Sequence, residues 1–168
     1  MDFYKLSKTV LFHGATPEET EQMLVIAWAS WNESKYPELR WLHHIPNGGN
    51  RGISEAIRFK QSGVRPGVSD LHLPYPHGKY CGLWIEMKYG SGRLQKEQEE
   101  FLQAMEQAGH FVATCYTWHD AIDVLERYIE LMPNAEMHMK NNAEWENGSE
   151  KIWRKRTKKE NEWDLYRE

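Results

Sequence analysis

The chain has 168 residues, enough for one domain with a substantial core, and a formal net charge of -4. That balance argues against a globally basic nucleic-acid binder, although an enzyme acting on nucleic acid needs only a local basic path and an acidic site. No apolar run is long enough to span a bilayer, so no membrane partner is expected.

The first fifteen residues are mixed in composition and lack the basic-then-apolar form of a signal peptide, so a cytoplasmic location is expected. Thr16-Pro17-Glu18-Glu19 then reads as a helix start: a cap, a proline at the first position and acids in the first turn. The helix should run to about Asn32, with Met23, Ile26, Ala27 and Ser30 inward and Trp31 extending the stripe. Leu39 to Ile45 reads as a short strand ended by Pro46-Asn47-Gly48-Gly49. His43, His44 and Asn47 hint at zinc, but no cysteine or third spaced histidine completes a site. Asn47 and Arg51, in a glycine-rich loop, could instead meet phosphate.

Ser54 to Gln61 reads as a second helix. Its Arg58 and Lys60, with Arg65 beyond, give local positive charge. Pro66-Gly67 is a turn leading to Asp70 and a short strand, and Pro76-His77-Gly78-Lys79 is a hairpin turn. Tyr80 to Lys88 follows as the central strand. Leu94 to Gln107 is a helix with Phe101, Leu102 and Met105 on one stripe. Phe111 to Tyr116 is a further strand, and Trp118 to Met132 a final helix with Ala121, Ile122, Leu125 and Ile129 inward. Two cysteines, Cys81 and Cys115, do not make a disulfide scaffold and are expected as buried thiols in neighbouring strands.

Beyond Pro133 the composition changes. Residues 151–168 hold seven Lys/Arg against four acids, a local +3 that leaves -7 for the rest. With Trp145, Trp153 and Trp163 but no core pattern, this reads as an extension that packs on a partner chain or DNA, or as a free terminus. The expected division is a domain at 1–133 and a charged, tryptophan-containing extension at 134–168.

The chemistry concentrates in two stretches. In Leu83-Trp84-Ile85-Glu86-Met87-Lys88 the period-two alternation puts Glu86 and Lys88 on one face. A carboxylate and an amine are poor core residues unless paired or bound to something. If Asp70 lies on the adjacent strand, two carboxylates and a lysine share one small space. Carboxylate oxygens there suit Mg²⁺ or Mn²⁺. Glu-x-Lys alone is more often a solvated strand face; Asp70, the glycines and the following helix favour the functional reading.

The order of elements, with Asp and Glu-x-Lys on the strands, resembles the PD-(D/E)xK nuclease superfamily, and more narrowly a stand-alone VRR-NUC domain of the kind found in phages and bacteria. The matching blocks are His44-Ile45-Pro46-Asn47-Gly48-Gly49, Gly63 to Asp70, Ile85-Glu86-Met87-Lys88, and Gln98 in the helix that follows. Coverage runs from about Thr16 to Ile129. Ser69 stands where the superfamily's proline usually precedes the aspartate.

The resemblance implies an α/β fold of restriction-endonuclease type, with a mixed central sheet flanked by helices. It implies Mg²⁺ or Mn²⁺ on Asp70 and Glu86, helped by the Met87 carbonyl, with Glu21 as helper acid, Lys88 catalytic and Gln98 supporting it. It further implies a homodimer acting on branched DNA, such as a four-way (Holliday) junction, inside a bacterium if the chain is phage-encoded. Two other readings stay open: a duplex or flap endonuclease of the same fold, and a non-catalytic DNA-binding or assembly protein.

Overall fold

A computed structural model describes residues 14–46 and 53–137, with side chains omitted at 53–56. Asn47 and Arg51 therefore lie outside the described residues, as do Trp145, Trp153, Trp163 and the basic run at 151–159.

Helix α1 (Pro17–Asn32) starts where its cap predicts. The Glu19 N–H donates to Thr16 Oγ1 at 3.2 Å, and the Thr16 N–H donates to Glu19 Oε2 at 2.7 Å. Its buried residues are Leu24, Val25 and Ala29. Met23 and Trp31 are instead 41% and 49% exposed, a correction to the expected stripe. Apolar residues surround this helix on nearly every side, so periodicity alone does not choose the inner face.

The expected strand from Leu39 to Ile45 is also corrected. Pro37–Trp41 forms a 3-10 helix, and only His43–His44 pairs as strand β1. Pro37 presets the tight turn, and the Leu42 N–H donates back to the Leu39 carbonyl. Helix α2 (Ile53–Gln61), strands β2 (Leu71–Leu73) and β3 (Leu83–Met87), helix α3 (Lys96–Gln107), strand β4 (Phe111–Cys115) and helix α4 (Trp118–Ile129) complete the order.

The sheet runs β1-β2-β3-β4, with β1/β2 and β2/β3 antiparallel and β3/β4 parallel. The parallel step is bridged by α3, as a parallel pair requires. This is a mixed α/β fold with a central mixed sheet flanked by helices. The core holds Leu71, Leu73, Leu83, Ile85, Met87, Ala113, Cys115, Leu125 and Tyr128. Helix α3 covers the face carrying Trp84 and Glu86, since Phe101 meets Trp84 edge-on at 5.0 Å. Helix α4 lies on the other face, where Tyr128 rests against Phe111. Cys115 is buried as expected, but Cys81 is exposed, because it precedes β3 rather than lying within it. Neither is in a disulfide. Met137 is buried and its N–H donates to the Tyr80 hydroxyl, so the chain stays on the core past Pro133.

Candidate active site

Register builds the site. Leu71 pairs with Ile85, so the next antiparallel step sets Asp70 opposite Glu86. The Met87 N–H donates to Asp70 Oδ2 at 2.8 Å, which fixes that carboxylate over the β3 backbone. Gly67 lets the Asp70-bearing turn reach α3. Its φ is +82°, and a Cβ there would collide with the Glu97 backbone, one residue before Gln98.

Glu86 is 0% exposed and Lys88 6%. Lys88 Nζ donates to Glu86 Oε1 at 2.7 Å, and Gln98 Nε2 donates to the same oxygen. The Gln98 amide is held from its other end, because Oε1 accepts the Gln95 N–H at 2.9 Å. One side chain thus caps α3 and grips the strand carboxylate. Glu86 Oε2 is buried and has no hydrogen bond of good geometry among the described residues. The Ser69 hydroxyl lies close enough to favour the charged carboxylate without closing such a bond.

The electrostatics follow from burial and crowding. Burial, then repulsion from Asp70, pushes Glu86 up to about 7, against the pull of Lys88. Burial also raises Asp70, outweighing the Met87 N–H, Lys88 and His44. Burial alone would depress Lys88, but Glu86 in contact, with Glu18 and Asp70 nearby, holds it above the ordinary lysine value. Its ammonium therefore persists at neutral pH.

The first helix sets Glu18, rather than the expected Glu21, beside Lys88 and Asp70. Glu21 Oε2 accepts the Trp118 N–H at 2.6 Å and so caps α4. Glu18 accepts the Tyr89 N–H and interacts with both Lys88 and Asp70, and burial raises its pKa. The sequence offered both acids in one turn, but no signal in it chose between them. His44 was legible only as part of a motif. Its Nδ1 meets the Asp70 carbonyl at 2.9 Å, which sets it beside the site. Tyr116, missed altogether, donates to the Gly92 carbonyl at 3.2 Å, tying down the loop after Lys88. Arg58, Lys60 and Arg65 are exposed.

Hard carboxylate oxygens, one of them buried without a hydrogen bond, fit a divalent cation such as Mg²⁺, which commonly takes one or two carboxylates and keeps its waters. Among the described residues no group of three or more His, Cys, Asp or Glu is gathered as a closed metal cage would need. That leaves the His43/His44 zinc idea without support there. Nor is any helix among them long and apolar enough to cross a membrane.

A search of curated proteins returned no match. A solved structure described as a VRR_NUC domain protein is similar to this chain, with 28% identity and a TM-score of 0.60. The match covers 72% of this chain and 93% of that one. The VRR-NUC domain matches residues 15–118, which include Asp70, Glu86, Lys88 and Gln98. The chain belongs to the VRR-NUC family of nuclease domains.

Proposed function

We propose that this chain is a Mg²⁺- or Mn²⁺-dependent endodeoxyribonuclease that cuts phosphodiester bonds in branched DNA, four-way junctions included. The observation that carries the reading is the pairing of Asp70 with Glu86 beside Lys88. Burial raises both carboxylates, and Asp70 raises Glu86 further, against the pull of Lys88. A further positive charge would relieve that arrangement while keeping both groups ionised.

Asp70 and Glu86 would hold the ion, with the Met87 carbonyl beside them and Glu18, rather than Glu21, as the helper acid. The bound ion would lower the pKa of a water and offset charge on the phosphate. Lys88, kept as an ammonium, is a donor rather than a base. Its Nζ donates to the non-bridging phosphate oxygen as negative charge builds there. Gln98 fixes the rotamer of Glu86 and, through it, the position of Lys88. Arg58, Lys60 and Arg65, with Asn47 and Arg51, supply a phosphate path.

One chain holds one Asp70–Glu86–Lys88 set, whereas paired incision of a four-way junction takes two nicks. A homodimer supplies both. The test is cleavage of a matched panel (four-way junction, flap, linear duplex, single strand) with Mg²⁺, Mn²⁺ or EDTA. Metal-dependent nicking of the junction, with a two-chain mass by light scattering, is expected. Equal cutting of plain duplex would favour the simpler endonuclease, and no cutting of any probe would reject the enzyme.

A further inference from the structure

Next to Asp70 the edge of the sheet carries a run of exposed aromatic and basic side chains. Arg40, Trp41, His43 and His44 are all exposed, and Trp41 is 53% so. The Arg40 guanidinium lies over the indole, 5.0 Å from its centroid. His43 Nδ1 meets the Trp41 carbonyl at 2.9 Å, and His44 Nδ1 meets the Asp70 carbonyl at 2.9 Å. A carbonyl only accepts, so each imidazole carries its proton on Nδ1, leaving Nε2 for a ligand. His43 also rests edge-on against His72, which stacks flat on Trp84 at 3.7 Å. These rings are therefore held in place before any ligand arrives. The acids close by are already engaged: Glu38 pairs with His77, and Glu19 closes the α1 cap.

We infer that Arg40, Trp41, His43 and His44 form a stacking platform for a nucleotide whose base is unpaired, beside the phosphate that is cut. The choice of partner rests on the DNA-cleaving reading above. The face of an indole suits the face of a base, and a base inside a duplex has both faces covered by its neighbours. Arg40 on the same edge donates to a phosphate beside that base. Position agrees with this role. From Trp41 to His44 extended chain spans about 10 Å, and His44 touches Asp70, so the platform lies on the order of one or two nucleotides of a stretched strand from the cutting centre. An isolated exposed tryptophan would be an ordinary surface feature. This one lies under the Arg40 guanidinium and adjoins a nuclease site.

The test is fluorescence anisotropy in EDTA, where no cutting occurs, with a duplex bearing a single-stranded overhang and the blunt duplex of the same sequence. Trp41→Ala should weaken binding of the overhang probe by about 5- to 100-fold, the range of one base–aromatic stack. Trp41→Phe should stay within about 3-fold of wild type, since a ring remains. Neither should alter binding of the blunt duplex. An overhang of abasic residues should bind wild type as weakly as the intact overhang binds Trp41→Ala. Equal affinity of Trp41→Ala and wild type for the overhang probe would overturn the platform, as would equal losses on both probes. Cleavage is scored separately with Mn²⁺. Tryptophan-dependent binding without cleavage would overturn the nuclease reading and leave the platform standing. Cleavage with no effect of Trp41 would do the reverse.

Discussion

Among the described residues acids are buried at two places, and their neighbours differ. At the start of α4, Asp120 Oδ2 accepts the Thr117 N–H at 3.1 Å and Glu21 Oε2 accepts the Trp118 N–H at 2.6 Å. Those carboxylates meet the orphan donors and positive end of a helix, a structural use of charge. At the junction of β2 and β3, Asp70 and Glu86 meet each other. One backbone N–H, one lysine and one glutamine partly satisfy them, and Glu86 still stands at about 7. The fold gains little from this second pair in the absence of an added cation, so burial of an acid is not by itself a functional sign. What separates the two places is what the carboxylates meet: the first N–H groups of a helix at α4, and a second carboxylate with a buried lysine between the strands.

The largest effect expected from breaking the second region is on turnover. Lys88→Ala should lower cleavage by about 10²- to 10³-fold, the loss typical of one donor aimed at developing charge, while DNA binding is retained. Single-turnover nicking measures this, and near-wild-type rates would make Lys88 a structural ion-pair partner only.

Exchanging the roles of the two first-helix acids sharpens the contrast. Glu18→Gln should cost about 10- to 100-fold in activity or in Mn²⁺ requirement, as supporting groups at metal sites do. Glu21→Ala should leave the rate near wild type and lower stability by about 0.5–2 kcal/mol, the worth of a helix cap. Nicking rates and denaturant midpoints for both variants separate them; the opposite pattern would restore Glu21 to the site.

The fold was legible because its elements announce themselves locally. Thr16-Pro17 starts α1, Gly67 marks the turn before Asp70, and the alternation through Leu83–Lys88 sorts core from site. Asp70, Glu86, Lys88 and Gln98 come together as that pattern implies. Which of Glu18 and Glu21 faces Lys88 and Asp70 was not legible. Three residues rotate a helix by about 60° from one side chain to the other, and the roll of α1 is set by what it packs on, not by its own period. The 3-10 turn at Pro37–Trp41 was hidden for a related reason: a run of Leu, Trp, Leu and Ile alternates acceptably as a strand, and only packing reveals that β1 is two residues long.

Acid–base linkage distinguishes the regions with a smaller signal. A raised carboxyl pKa contributes stability that is full below the unfolded value and is lost as pH rises through the folded one. For Glu86 the loss runs from the unfolded carboxyl range up to about 7 and is complete just above it. Metal-free protein should therefore gain about 0.5–1 kcal/mol from about pH 8 to about pH 6.5. Saturating Mn²⁺ should remove that gain by stabilising the ionised pair. Thermal melts with and without metal check it; identical pH slopes would separate the ion from Glu86. Below that window the histidines take over. Burial depresses His72 to about 4, so its contribution is full above the unfolded value and is lost as pH falls toward 4. Because His72 is partly solvated, His72→Gln should spare only about 1 kcal/mol of acid destabilisation. Acid melts of both proteins measure the difference.

Calorimetric titration of metal-free protein with Mn²⁺ near neutral pH asks most directly whether Asp70 and Glu86 are a cation site. Wild type and Glu21→Ala should bind alike, and Asp70→Asn should lose most of the heat. Equal binding by Asp70→Asn and wild type would contradict the account.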